Sequence, residues 1–358
     1  MDTSLNIATI DPNFQIQSNI QEEALVWYDV RKAPFRVYGL HDYQNQFVFR
    51  RVPAAVAKAT GEPLERLSLH TAGGRVRFKT NSPYIALKTV QNGRGAMPHM
   101  PLTGSSSFDL YEKKEGQYTY QKTFIAPVHM TDGYENIFYC NRTDLRDYTL
   151  NFPLYHGVNA LYIGLHKESV LDAGDRYIHE KPIVYYGSSI TQGGCASRPG
   201  NAYQAHITRW FDTDHINLGF SGNGKGEKSM ADWMASLDMG VFVSDYDFNA
   251  PTAEHLEATH KPLYETIRTA HPDIPYIILS RPNLTKKTIQ TDARHAIIQK
   301  TYVDARAAGD KNVYFIPGNE LFGEVDRDVC TVDTTHPTDE GFYRMAQRMA
   351  RVIKHLDW

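Results

Sequence analysis

Ile183-Val184-Tyr185-Tyr186-Gly187-Ser188-Ser189-Ile190-Thr191 is an apolar run that stops at a glycine and two serines. It reads as a buried strand that delivers a hydroxyl onto the turn that follows. Working outward, further apolar strands are expected at residues 216–220, 241–248, 276–280 and 313–316. Helical stretches separate them: residues 201–211, a segment through Met230, Met234 and Leu237, a long region 253–270, and one through Ile297 and Ala305. Near the end, Phe342, Met345, Ala346, Met349, Ala350 and Ile353 fall on one face of an amphipathic helix. Thr338 suits its N-cap, and Asp339 and Glu340 suit the positive end of its dipole. Strands alternating with helices predict an α/β domain, a flavodoxin-like three-layer fold with a parallel sheet covered on both faces.

In such a sheet, ligands bind beyond the carboxyl ends of the strands. Ser189, Ser221-Gly222 and Asn249 each follow one of the expected strands, and Asp333-Thr334-Thr335-His336-Pro337 follows the last. A serine hydroxyl is a weak nucleophile until a base removes its proton, and the base works best when a third group orients it. Ser189, His336 and Asp333 supply those three parts. Pro337 biases His336 away from helical geometry, so Asp333 and His336 are expected on a turn. Taken singly, a serine after a strand is usually a turn serine and Asp-x-x-His a helix entry; their combination at one rim carries the argument.

Residues 1–178 read differently. Short runs such as Val76-Arg77-Phe78-Lys79 alternate apolar and polar positions, with turns signalled at Gly73-Gly74, Asn92-Gly93, Asp132-Gly133 and His156-Gly157. A β-sandwich or jelly roll is the expectation there, with the α/β domain occupying residues 179–358.

Composition narrows the function. The 358 residues are 41% hydrophobic and 22% charged with a formal net charge of −3, which gives no electrostatic case for a nucleic-acid partner or an anionic membrane. No apolar run approaches the roughly 18 residues of a membrane span. The polar segment 1–21 shows no secretory leader, so a cytoplasmic location is expected. Three cysteines, Cys140, Cys195 and Cys330, are too few and too scattered for a disulfide framework or a Cys-x-x-Cys metal site. Cys195 reads as a small packing or loop thiol. Gly219-x-x-x-x-Gly224-Lys225 approaches a phosphate-binding loop, but Gly226 stands where a hydroxyl must meet magnesium, so these glycines are expected to shape a loop at the rim. His255 and His260 do not share a helical face and read as surface or packing histidines; no metal or cofactor is expected. For His99 and Asp109, structural hydrogen bonding and a place in the substrate cleft are both open.

These residues carry a resemblance. Gly187-Ser188-Ser189-Ile190-Thr191, Asn217-Leu218-Gly219-Phe220-Ser221-Gly222, Asp247-Phe248-Asn249-Ala250-Pro251 and Asp333-Thr334-Thr335-His336 resemble, in order, the four sequence blocks of the SGNH, or GDSL-type, hydrolases. Ser107-Phe108-Asp109-Leu110-Tyr111 resembles the Gly-x-Asp-Leu-Tyr motif of the N-terminal domain in one branch of that family. The resemblance implies Ser189 as nucleophile, His336 as base and Asp333 as orienter. It also implies an oxyanion hole made by the Ser189 N–H, the Gly222 N–H and the Asn249 side chain. Two departures stand out. Ser188 replaces the usual aspartate, which leaves Ser188 and Ser189 as rival nucleophiles with register favouring Ser189. The third block lacks the usual Gly-x-Asn-Asp arrangement.

The implied activity is hydrolysis of small acyl esters, acetyl above all, of carbohydrates or similar polar alcohols through an acyl-enzyme. An acyltransferase using the same residues, and a glycan-binding protein with a degenerate hydrolase domain, are the rival readings. The oligomeric state has no signal in the sequence.

Overall fold

The computed structural model describes residues 20–282 and 289–358, with side chains left undescribed at positions 289–292. Most of the segment read for a leader, residues 1–19, lies outside the described residues. The chain divides into two units, each with its own core.

Among the described residues, the first unit comprises 20–51, 69–176 and 197–200. Its strands are β1 (Leu25–Asp29), β2 (Arg36–Tyr38), β3 (Arg75–Thr80), β4 (Tyr84–Val90), β5 (Phe108–Lys114), β6 (Gln117–Phe124), β7 (Gly133–Tyr139), β8 (Arg146–Asn151), β9 (Ala160–His166) and β10 (Leu171–Ala173). One antiparallel sheet has the order β1-β9-β4-β7; the other runs β10-β3-β8-β5-β6, with β2 also on β3. Alternate residues of both sheets, among them Val76, Phe78, Ile85, Leu87, Leu110, Leu150, Leu161 and Ile163, share one apolar cluster. That is the period-two burial of a sandwich.

Among the described residues, the second unit comprises 52–68, 177–196, 201–282 and 289–358. Five parallel strands, β11 (His179–Gly187), β12 (Thr213–Gly219), β13 (Val241–Asp245), β14 (Tyr276–Leu279) and β15 (Val313–Ile316), lie in the order β12-β11-β13-β14-β15. Helices Tyr203–Phe211 and Asp339–Ile353 stand on the Tyr185 face, where Tyr185 meets Tyr203 and Tyr203 stacks on Phe342. Helices Lys228–Ala235, Ala253–Ala270 and Ile289–Ala307 contribute to the core on the Val184 and Tyr186 face. Near-continuous burial along β11 and β13 is what a sheet covered on both sides requires. Thr338 caps the last helix by accepting the Gly341 N–H at 3.2 Å.

Two local readings differ from the sequence expectation. The third strand of the second unit stops at Asp245 rather than continuing to 248, and the Asp247-Phe248-Asn249 segment is a turn. Helices Ala54–Thr60 and Glu62–Leu67 interrupt the otherwise β-rich first half. Their alanines and leucines are good helix formers, and Ala57, Leu64 and Leu67 bury in the core of the second unit.

Candidate active site

Strand β11 ends at Gly187, whose place admits no side chain: a Cβ there would lie 2.1 Å from Thr191 Oγ1 and 2.3 Å from the Asp245 carbonyl. The chain then enters a one-turn helix, Ser189–Gln192, capped by Ser188, whose Oγ accepts the Ile190 N–H at 3.2 Å. Ser188 therefore does the work of an N-cap. It is Ser189, not Ser188, whose hydroxyl faces a base: Ser189 Oγ lies 2.9 Å from His336 Nε2.

His336 sits on a turn, as Pro337 demanded. Residues Thr331 and Pro337 form an antiparallel bridge, and the Pro337 carbonyl accepts the Cys195 N–H at 3.2 Å. His336 Nδ1 lies 2.7 Å from Asp333 Oδ2, while Asp333 Oδ1 accepts the main-chain N–H groups of Thr335 at 3.0 Å and His336 at 2.7 Å. Burial pushes the Asp333 carboxyl up, but these amides and the ring outweigh it and hold the group below the usual carboxylate range. An ionised Asp333 keeps the ring proton on Nδ1, which leaves Nε2 as an acceptor for the serine proton.

The loop after β12 meets the same turn. Gly224 packs its Cα against the Gly187 carbonyl, where a Cβ would come within 2.7 Å, and Gly219 packs closer still to Gln192, where a Cβ would lie 2.1 Å from the main-chain nitrogen. The near-match to a phosphate loop is thus explained by close packing. Gly222 has φ +67°, a left-handed conformation that suits glycine, and open space where a side chain would be. The Asn249 amide donates to the Phe220 carbonyl at 2.8 Å, which seats it beside this loop, and among the described residues no hydrogen bond takes up its second N–H.

Beneath the serine turn is a layer that sequence reasoning did not single out. The Thr191 carbonyl accepts from Gln204 Nε2 at 2.7 Å and Asn217 Nδ2 at 2.8 Å, and Gln192 Oε1 accepts the Ser221 N–H at 3.0 Å. Thr191 Oγ1 donates to Asp245 Oδ2 at 3.0 Å. Burial, and then the charge of Asp247, push the Asp245 carboxyl well above its ordinary value. The available signal was a carboxylate closing an apolar strand, Val241-Phe242-Val243-Ser244-Asp245, where a solvated surface residue would be out of place.

Burial, and then the negative charge of Asp333, push the Cys195 thiol up to about 12, which makes it inert at neutral pH. His260 is buried, its Nδ1 lies 2.8 Å from Thr301 Oγ1, and burial lowers its pKa to about 4. His255 Nε2 lies 2.8 Å from the Lys225 carbonyl. In the first unit, Asp109 is a structural hub: it accepts from Asn151 at 2.8 Å, Arg198 at 3.0 Å and the Gly200 N–H at 2.8 Å. His99 is exposed on the loop before Met100.

Residues 180–354 match the sequence model of the GDSL-like lipase/acylhydrolase family, and residues 25–171 match that of GxDLY, the N-terminus of SGNH-hydrolase-type esterases. The chain belongs to the SGNH, or GDSL-type, hydrolase family. It lies in the branch with the Gly-x-Asp-Leu-Tyr sandwich and is a carboxylic ester hydrolase. Among solved structures, a protein assigned as a GDSL-like lipase from Bacteroides ovatus ATCC 8483 is 29% identical, with TM-score 0.83 over 92% of this chain and 97% of that one. The salicylyl-acyltransferase SsfX3 from a tetracycline biosynthetic pathway shares the fold at 18% identity, TM-score 0.75, over 93% and 98%. A family two carbohydrate esterase from Clostridium thermocellum, solved with cellohexaose, does so at 14%, TM-score 0.58, over 80% and 93%. No curated protein matches the chain. Among the described residues of this SGNH hydrolase, no helix is long and apolar enough to cross a membrane.

Proposed function

We propose that this SGNH hydrolase removes small acyl groups, acetyl above all, from esters of carbohydrates or similar polar alcohols, with Ser189 as nucleophile. The observation that carries the reading is the unbroken chain Ser189 Oγ to His336 Nε2 at 2.9 Å and His336 Nδ1 to Asp333 Oδ2 at 2.7 Å. Ser189 Oγ attacks the acyl carbonyl as His336 Nε2 takes its proton. The oxyanion that forms meets the Ser189 and Gly222 N–H groups and the free N–H of Asn249, each such donor contributing on the order of 3–4 kcal/mol to the transition state. Collapse expels the alkoxide, which collects the proton from His336. Water then repeats the sequence on the acyl-enzyme, with His336 as base, and frees the acid and the serine. The carbohydrate part of the proposal draws on fold likeness to carbohydrate esterases such as the cellohexaose-bound enzyme.

Likeness to an acyltransferase over nearly the whole chain favours a second reading, in which an alcohol replaces water at the acyl-enzyme. Product analysis with competing alcohols separates the two: free acid alone at saturating acceptor removes transfer. Ser189→Ala is expected to lower turnover of p-nitrophenyl acetate about 10⁴-fold or more while preserving the circular dichroism spectrum. Undiminished turnover would remove the proposal.

A further inference from the structure

We propose that the Arg281 guanidinium is a specificity group of this hydrolase, selecting esters that carry a carboxylate within about 10 Å of the scissile carbonyl. The inference rests on the reading of Ser189 as the nucleophile.

Placement comes from sheet register. Gly187 pairs with Asp245, and Ser244 pairs with Ile278, so β11, β13 and β14 end level with one another. Ser189 stands two residues beyond the end of β11 and Arg281 two residues beyond the end of β14. Both are therefore at the carboxyl rim, two strand spacings apart, which is about 10 Å.

Arg281 is held rather than loose. Its N–H donates to Asp247 Oδ2 at 3.1 Å. Its carbonyl is covered by Gly318, where a Cβ would sit 1.7 Å from that oxygen. The guanidinium carbon lies 4.0 Å from the centre of the Phe248 ring, and Phe248 precedes Asn249. Stacking fixes the plane of the guanidinium and leaves its edges for ligands.

Among the described residues those edges have no hydrogen-bonded acceptor. Among the described residues no hydrogen bond or ion pair reaches the guanidinium, and its Nε is shut from solvent with no partner. Asp247 hydrogen-bonds the Arg281 main chain and attracts the guanidinium by its charge, without a hydrogen bond to it. Arg268 shows the ordinary case, with Nε on Asp310 at 2.9 Å and Nη1 on three carbonyls. Near Arg281 a second cation adds to the field: Arg294, whose Nη1 donates to the Asp247 carbonyl at 2.7 Å. A half-buried guanidinium with no hydrogen-bonded acceptor among the described residues is costly to maintain for packing alone, whereas a planar carboxylate matches its fork with two charge-assisted hydrogen bonds.

The carboxylate could sit on either side of the ester bond, and three substrates distinguish the sources. p-Nitrophenyl acetate is neutral, p-nitrophenyl hydrogen succinate carries the charge on the acyl side, and 4-acetoxybenzoate carries it on the alcohol side. For wild type, one charged ester is expected to exceed the neutral one in kcat/KM after correction for intrinsic reactivity with hydroxide. Arg281→Gln is expected to lower the ratio of charged to neutral kcat/KM about ten- to a hundred-fold, mainly through KM. Arg281→Lys should recover only part of it, because an ammonium lacks the fork. Taking a ratio within one preparation cancels any loss of folded protein. A ratio that shifts less than twofold in Arg281→Gln, or a wild type with no preference for either charged ester, overturns the inference. Turnover of all three esters by Ser189→Ala would instead overturn the reading of the nucleophile.

Discussion

Two carboxylates flank the serine turn, and they have been pushed in opposite directions. Asp333 stands on the last loop, its side chain about a third exposed, with two amides and a ring N–H aimed at it; it stays ionised. Asp245 closes a strand inside the sheet, touches one hydroxyl, and is pushed well above its ordinary value by burial. The residue type is identical. What differs is the supply of donors and of water, and that supply decides which way each carboxyl is pushed.

The largest effect should come from erasing the charged member. Asp333→Asn keeps the shape of the side chain but presents an amide to His336 Nδ1, which favours the wrong tautomer. A fall in kcat of about 10³–10⁴-fold is expected, with KM little changed. Adding Asp333→Asn to Ser189→Ala should cost almost nothing further, because the groups act as a unit. Steady-state kinetics on p-nitrophenyl acetate measures both; full additivity of the two losses would break the assignment.

The buried side of the comparison is sharper in Asp247, the neighbour of Asp245. Burial raises its carboxyl to about 6 against the opposing pull of the Arg281 N–H and the two arginines. A folded-state pKa above the unfolded one means the folded protein holds the proton longer as pH rises. Its burial therefore costs nothing below about pH 4, costs progressively more from there to about pH 6, and costs its full amount above, on the order of 3 kcal/mol. Asp247→Asn keeps an acceptor for the Arg281 N–H and removes the titration. The variant should gain stability relative to wild type on going from pH 4 to pH 8, by up to about that amount. Urea denaturation at the two pH values tests the sign; a gain at the acid end instead would show that Asp247 is stabilised as the anion.

Much of this site was legible in the chain because its parts are local. A strand followed by Gly187-Ser188-Ser189, an asparagine just past an expected strand, and Asp333 three residues before His336 can each be read in a short window. The last helix and its Thr338 cap were legible for the same reason, as a period and a cap. Partnerships between windows were not. Nothing in the sequence near Asp109 names Arg198, and nothing near Thr191 names Gln204, Asn217 or Asp245, because these contacts depend on which strands become neighbours. The helices within residues 52–68 escaped because the surrounding β pattern outweighed a short alanine-rich stretch. Strand β13 was overextended because Tyr246 and Phe248 continue its apolar run after the backbone has turned.

The smallest effect concerns the two serines, which the sequence left as rivals. Ser188 Oγ accepts the Ile190 N–H, whereas Ser189 Oγ faces His336. Ser188→Ala removes one cap from a helix of a single turn, so about 1 kcal/mol of stability should be lost. Chemistry should survive, since no reacting proton passes through that hydroxyl; kcat is expected within about tenfold of wild type, set by how well the turn still aims Ser189. Thermal unfolding and p-nitrophenyl acetate kinetics on the same variant read both quantities. An inactive Ser188→Ala beside an active Ser189→Ala would exchange the roles of the two residues. Loss of activity in both with unchanged stability would mean that the cap is itself part of the geometry that presents the nucleophile.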